Sequence, residues 1–491
     1  MMTRLAAVDL GAQSGRVAVG RFDGERLAVE EVHRFPNGPV EADGRLRWDF
    51  DLLCSETFDG LRAVARDGRV DAVGVDSWAI DFGLLDSAGA LLEPPVHYRD
   101  QLRAAAASDL YAAIPQRELY DRTGIQLLPI NTIVELAGMA ARGEPALAAA
   151  DVLLLIPDLL HQRLCGSRVT ERTNASTTQC IDAATGAWAD DLLERLDVPL
   201  RLMPSIVDAG AELGRADEAS GIAGAAVIAV ATHDTGSAVA AVPLRGPGSV
   251  YLSVGTWSLV GVEVPRPVID DLTYAANLTN EGGVEGTTRL LRNVTGLWLL
   301  DECRRAWSAA GRVYSIDELV GLADGATPLR SFVDPDAGAF AAPGDMPERI
   351  AAFCRDSGQA PPVSDGEIVR CVLESLALKH AHVVELLRDA AGIQPTELNV
   401  VGGGARNEHL CAWTANAAEL PVFAGPEEAT VVGNLLVQAI ALGELASVAQ
   451  ARDVVRASFP QHVYEPSGAA EWQEARERFG TLLDAPVEVS A

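Results

Sequence analysis

Three carboxylates stand just after short apolar runs: Asp9 after Leu5–Val8, Asp76 after Val70–Val75, and Asp234 after Ala226–Ala231. In an open α/β sheet, ligands sit beyond the carboxyl ends of strands, so these three are expected around one cleft. Asp234 is the strongest catalytic candidate, because the small residues behind it (Gly236, Ser237, Ala238) let a helix begin close to a ligand. A carboxylate there can take the proton of a hydroxyl as its oxygen attacks a phosphoryl group. It can equally serve as a plain cap for that helix. His233 beside it suits packing, or the orienting of a substrate oxygen. Asp9 is placed to hold Mg²⁺, directly or through water, or to bond its own turn. Arg16 can neutralise phosphate charge or simply face solvent. Asp76-Ser77-Trp78 with Asp81 sets an aromatic face among carboxylates, which suits a polyol or a packed core.

Two glycine-bearing loops belong with these residues. Asp9-Leu10-Gly11-Ala12-Gln13-Ser14-Gly15-Arg16 and Ser253-Val254-Gly255-Thr256-Trp257-Ser258 each follow an apolar run and precede an alternating one, the pattern of a hairpin. Small and hydroxyl residues at such turns leave backbone N–H groups free for phosphate oxygens. Their recurrence about half a chain apart suggests a duplicated unit gripping one polyphosphate between two loops. Gly402-Gly403-Gly404 after Leu398–Val401 permits close approach of a further flat or charged group.

The elements that must position these residues read as α/β. Arg26–Phe35 continues the first hairpin into a meander, and Asp49–Ala65 has helical spacing. A helix-rich stretch then runs to about Leu164, and Thr170–Thr178 is dense in hydroxyls and amides. Pro243–Gly248 carries two prolines and two glycines and marks the boundary between an expected N-terminal domain, 1–243, and a C-terminal domain, 244–491. Ser364 with Glu367 forms a capping box before the periodic run Ile368–Leu387, Leu420–Ala424 reads as a strand, and Glu428–Leu445 as a helix.

Bulk composition narrows the choices. At 491 residues the chain exceeds a single core. A net charge of −30 leaves no basic face for nucleic acid or anionic membrane. No apolar stretch reaches a membrane span and Met1-Met2-Thr3-Arg4 runs directly into a strand, so a cytoplasmic protein is expected, monomeric or a small homo-oligomer. The seven cysteines lack Cys-x-x-Cys spacing, which favours free thiols, although Cys354 and Cys371 are expected near each other. Lys379 is the only lysine and lies mid-helix, which excludes a Walker-A loop, a protein-kinase lysine and a pyridoxal Schiff base. Any ATP chemistry must rest on backbone amides and metal.

Assembled, these motifs resemble the FGGY carbohydrate kinase family, and within it the L-rhamnulose branch, over nearly the whole length. The carriers are Asp9–Arg16, Val75–Phe82, Tyr98-Arg99-Asp100, Arg122–Gln126 and Thr173–Gln179, followed by His233-Asp234-Thr235, Ser253–Leu259, Asn280–Gly283 and Val401–Gly404. The resemblance implies two ribonuclease-H-like domains of the actin, hexokinase and Hsp70 type around a central cleft, with ATP and Mg²⁺ as cofactors. It implies transfer of the γ-phosphate to O1 of L-rhamnulose, with Asp234 as general base and Asp9 and Asp234 at the metal. By position, Ala12, Gln13, Ser14, Gly15, Arg16, Thr256, Asp301 and Gly403 would hold ATP. Ala79, His233, Asp234, Thr235 and Asn293 would hold the sugar. Two positions depart from the pattern: Ala79 stands where glycine is usual, adding a methyl beside the sugar, and Asp301 replaces a usual glutamine.

Overall fold

The first hairpin forms where the alternation predicts it. Strands β1 (Thr3–Leu10) and β2 (Ser14–Phe22) pair antiparallel, and β3 (Leu27–Pro36) extends the meander. The computed structural model describes residues 2–483. Helix α1 (Phe50–Ala65) starts at Asp49, whose side chain accepts the Leu52 N–H at 3.0 Å. Strand β4 (Ala72–Ser77) then lies parallel to β1. Strands β5 (Ala211–Arg215) and β6 (Ala226–Ala229) complete a six-stranded sheet ordered β5-β6-β4-β1-β2-β3. Helix α2 (Asp234–Ala240) follows β6 and leads, through the Pro243–Gly248 segment, to the second sheet.

That sheet repeats the plan. Hairpin β7 (Ser249–Val254) and β8 (Trp257–Val264) is followed by β9 (Thr279–Gly282) and β10 (Thr288–Thr295). Helix α3 (Trp298–Ala309) and the 27-residue α4 (Asp365–Ala391) precede β11 (Glu397–Val401), which lies parallel to β7. Strand β12 (Val422–Ala424), helix α5 (Ala429–Ala441) and β13 (His462–Tyr464) close the order β9-β10-β8-β7-β11-β12-β13. Each sheet therefore sets an antiparallel hairpin beside a parallel strand, the duplication that the two loops foretold. The capping box on α4 is present, with Ser364 Oγ accepting the Glu367 N–H at 3.2 Å. Helix α5 ends earlier than its periodicity suggests, just ahead of Gly443 at φ 76°.

Helices α2 and α5 cross between the sheets, in a core that joins Leu5, Ala7 and Ile228 of the first to Tyr251, Leu291 and Val401 of the second. The crossing is close: a methyl on Gly433 would meet Ser237 O at 1.8 Å. Helix α5 also bonds directly to the first sheet, with Gln438 Nε2 donating to Ala6 O at 2.8 Å and Asn434 Nδ2 to Asp76 Oδ2 at 2.6 Å.

Lys379 is buried in α4 and paired with Asp334 at 2.7 Å and Asp336 at 3.0 Å. Asp336 in turn accepts the Thr295 N–H at 2.8 Å, so the lone lysine supports the turn after β10. All seven cysteines are free, and the thiols of Cys354 and Cys371 adjoin each other. Among the described residues no helix is long and apolar enough to cross a membrane.

Candidate active site

Register brings the strand-end carboxylates together. Asp9 pairs with Arg16 across the hairpin and with Asp76 across the parallel pair. Ser77 N donates to Thr232 O at 2.9 Å, which sets the β6 end beside β4. Beyond these ends lies a cavity of about 400 Å³, lined from both halves of the chain. From the first half it takes Asp9, Ala12, Gln13, Ser14 and Arg16, then Ala79, His233, Asp234 and Thr235. From the second half come Thr256, Asn293 and Gly403.

Two residues expected at the nucleotide stand off this wall. Gly15 is needed for packing, since a Cβ there would fall 2.2 Å from Phe35 Cζ. Asp301 occupies the first turn of α3 with its carboxyl beside Gln13, and burial pushes that carboxyl above the ordinary range against the opposing Arg304. The three consecutive glycines also divide their work. Gly404 packs on Val254, where a Cβ would meet a methyl at 2.3 Å. Gly402 and Gly403 face the cavity, and Gly403 has open space around it.

Asp76 lies behind the cavity, wholly buried, with Oδ1 unpartnered. Burial, then the Asp9 carboxylate, pushes its carboxyl well above the ordinary range, while Asn434 opposes. Asp81 is not free for a polyol. It accepts from Trp48 Nε1 at 2.7 Å and Trp78 Nε1 at 3.0 Å and is paired with the buried Arg103. The Trp78 ring does line the cavity. Arg16 reaches Asp9 through Nε at 2.7 Å and also pairs with Glu428, the residue preceding α5, so its charge spans both halves.

Asp234 opens α2 partly exposed to the cavity. Its Oδ1 accepts both the Thr235 N–H and the Thr235 hydroxyl, the latter at 3.1 Å, and lies 3.4 Å from His233 Nε2. Burial raises its carboxyl above the usual range, His233 opposes this, and Asp9 adds to it. Behind it, buried Glu171 accepts the N–H and hydroxyl of Thr232, at 2.9 and 3.0 Å, and the N–H of Thr173 at 2.8 Å. Burial outweighs these donors and pushes Glu171 up to about 7.

Further contributors act through partners distant in the chain. Gln126 Oε1 accepts from Asn293 N at 3.0 Å and Asn293 Nδ2 at 3.1 Å, which fixes that amide across the cleft. Arg289, fully buried in β10, contacts His233 and Glu281. An arginine in an amphipathic strand reads from sequence as solvent-facing; only the burial of its carboxylate and imidazole partners turns it inward.

The family model for the N-terminal domain of the FGGY family of carbohydrate kinases matches residues 5–241, and that for the C-terminal domain matches residues 250–442. The chain is 44% identical over 481 residues to a rhamnulokinase of Bacteroides thetaiotaomicron, covering 97% of this chain and 98% of that one. A rhamnulokinase of Bacillus subtilis is 37% identical over 94% of this chain and 95% of its own. Among solved structures, a ligand-bound xylulose kinase from Lactobacillus acidophilus superposes with a TM-score of 0.79 at 17% identity, covering 98% of this chain and 97% of that one. A Plasmodium falciparum glycerol kinase with ADP gives 0.77 at 15% identity, covering 98% and 99%. These structures share the mixed α/β fold. With both family models spanning most of its length and its strand-end carboxylates facing two hairpin loops, the chain belongs to the FGGY family of carbohydrate kinases, enzymes of sugar and ATP.

Proposed function

We propose that this kinase transfers the γ-phosphate of ATP to O1 of L-rhamnulose, giving L-rhamnulose 1-phosphate and ADP. The observation that carries this reading is the 37–44% identity, over nearly the full length, to relatives that are rhamnulokinases. The division into domains at 243/244 fits the two separate sheets and the segment between them.

In this mechanism the sugar lies against Trp78, Ala79 and Asn293, and the polyphosphate lies between the loops at 11–16 and 253–256. Asp234 takes the O1 proton as O1 attacks the γ-phosphorus. The backbone N–H groups of the two hairpin turns face the transferring group and absorb developing charge. Arg16 is held by Asp9 and Glu428 and would add its charge at the phosphates.

The donor set fits Mg²⁺. That ion uses one or two carboxylates together with substrate phosphates, and Asp9 and Asp234 line the cavity along with residues of the phosphate loops. When bound, Mg²⁺ supplies charge neutralisation at the phosphoryl oxygens.

A coupled assay of ADP release tests the reading, with L-rhamnulose, L-fuculose, L-xylulose, L-ribulose, D-fructose and glycerol as acceptors. Preference for L-rhamnulose is expected, and Ala79→Gly should alter the ranking, because that methyl lines the sugar end of the cavity. ADP release that ignores every sugar would overturn the kinase reading.

A further inference from the structure

We infer that Gln126 is a positioning residue for the sugar: it clamps Asn293 across the two halves of the chain, takes up the Nδ2 edge of that amide, and so presents Asn293 Oδ1 to the cleft as the acceptor for one sugar hydroxyl. The inference rests on the kinase reading of the cleft and deepens it. It gives the sugar contact at Asn293 a fixed polarity and ties that contact to the seating of the halves.

Gln126 is buried, and its amide faces the main-chain groups of Asn293 on β10. Asn293 N donates to Gln126 Oε1 at 3.0 Å, and Gln126 Nε2 donates to Asn293 O at 3.2 Å. A main-chain N–H can only donate and a carbonyl can only accept, so the Gln126 amide has one possible orientation. Asn293 Nδ2 lies 3.1 Å from the same Oε1. An acceptor there demands the NH₂ edge of Asn293, and Oδ1 is left on the other edge without a donor from the described residues. The Glu281 carboxylate adjoins this amide as well and, being an acceptor, calls for the same edge. Gln126 and Asn293 both line the cavity.

Gln126 is itself held from behind. Its main-chain O accepts Asn131 Nδ2 at 2.9 Å, and Asn131 Nδ2 also donates to Gln179 Oε1 at 2.9 Å. Gln179 Nε2 donates to Ile125 O at 3.2 Å, so a main-chain carbonyl orients this amide too. Asn131 and Gln179 are buried. A row of four amides thus runs from the first half to Asn293, with each orientation traced to a main-chain group. The terminal torsion of an asparagine is otherwise broad, and the row removes that freedom at Asn293.

The same segment joins the halves. Gly124, at φ 65°, ends the helix Gln116–Thr123, and its O accepts Asn280 N at 2.8 Å and Asn280 Nδ2 at 3.1 Å from β9. Asn277 Oδ1 accepts Leu127 N at 2.9 Å, and Asn277 Nδ2 donates to Leu127 O at 3.3 Å. Three amides therefore pin residues 124–127 to the second half, and of these contacts the Gln126–Asn293 pair is the one on the cavity wall. Asn293 Oδ1 is in place while the halves are seated on each other, and its polarity selects a hydroxyl donor. With Oε1 already accepting two donors, Gln126 has no acceptor left for the sugar and acts through Asn293.

Steady-state ADP release by the full-length enzyme tests this through a double-mutant cycle, with the ketose that wild type prefers as the varied acceptor, L-rhamnulose being expected. Gln126→Met should raise the sugar KM about 10-fold and leave kcat and the KM for ATP within about 2-fold. In an Asn293→Ala background the same change should add less than about 2-fold, because the atom it positions is already gone. Full multiplication of the two effects would show that Gln126 acts on the sugar by another route and would overturn the inference. Asn277→Gly, at φ 47°, removes a clamp of the same kind away from the cavity wall without straining the backbone. It should leave the sugar KM within about 2-fold; a rise matching that of Gln126→Met would reduce Gln126 to general contact between the halves and overturn its positioning role. Gln126→Asn, shorter by one methylene, gives the same cycle in milder form where Gln126→Met does not fold. Wild-type ADP release that no sugar stimulates would refute the kinase reading and this inference with it. A sugar-stimulated wild type whose KM is unchanged in Gln126→Met would refute the inference alone.

Discussion

The Arg99 guanidinium carbon lies 4.2 Å from the centroid of the Trp298 ring. Arg99 belongs to the first half of the chain and Trp298 opens α3 in the second, so the pair joins the halves at the rim of the cleft. Tyr98 and Trp257, both lining the cavity, stand 5.4 and 5.9 Å from the same carbon, and Arg99 Nη1 donates to Ala341 O at 3.1 Å. A cation over aromatic faces contributes about 0.5–2 kcal/mol.

Arg99→Ala should therefore loosen the rim rather than impair the chemistry. The expected result is a rise in sugar KM of about 2- to 30-fold, that energy range expressed as a ratio, with kcat far less affected. Steady-state kinetics and the sugar-induced change in tryptophan fluorescence check this. An unchanged sugar KM would show that the clasp holds nothing at the cleft.

Asp234→Asn removes the proposed proton acceptor while keeping the shape. Loss of kcat by about 10²- to 10⁴-fold is expected, with ATP and sugar still bound. Single-turnover assays beside calorimetric binding separate the two effects, and near-normal turnover would refute the assignment.

The buried Glu171 gives a pH test of stability. Its carboxyl is pushed from an ordinary 4.5 up to about 7, so the folded chain binds a proton that the unfolded chain has released between these values. Stability from this site is thus fully present below about pH 4.5 and falls as pH rises to about 7, by roughly 3 kcal/mol in all. Glu171→Gln cannot ionise, so the wild-type advantage over it should shrink across this window. Thermal midpoints of both proteins from pH 4.5 to 8 measure the difference, and a constant gap would contradict it.

Much of this arrangement was legible in the chain because its signals are local. Hairpin alternation, the Ser364–Glu367 capping box and the strand-end positions of Asp9 and Asp234 each depend on neighbours in sequence, and each is found in place. What stayed hidden depends on distant partners. Asp81 reads as a polyol ligand until Arg103, Trp48 and Trp78 are seen to use both its oxygens. Gly15 reads as a phosphate glycine, and only Phe35, from the next strand, reveals that its missing side chain also makes room for packing. Arg289 carries no periodic signal at all, because its buried partners come from two other segments.

Two glycines should respond in opposite ways. Gly433→Ala places a methyl 1.8 Å from Ser237 O, a backbone atom that cannot rotate away. The helix crossing must spread, and destabilisation of about 1–3 kcal/mol or more is expected in thermal unfolding. Gly403→Ala meets nothing within 4 Å and has ordinary backbone angles, so stability should hold. Its methyl instead intrudes on the cavity wall, and the KM for ATP should rise. A stable Gly433→Ala or an unstable Gly403→Ala would contradict this division.

The burial of Lys379 against Asp334 and Asp336 reaches beyond folding. With its only lysine side chain sealed in α4, the protein offers no side-chain amine to solvent and carries its surface cations entirely as guanidinium. Acetylating agents, reducing sugars and amine-directed cross-linkers thus find no side-chain target on the folded molecule. Covalent tethering to a support is best directed at the abundant carboxylates, and a lysine-reactive probe that begins to label Lys379 reports that the interior has opened.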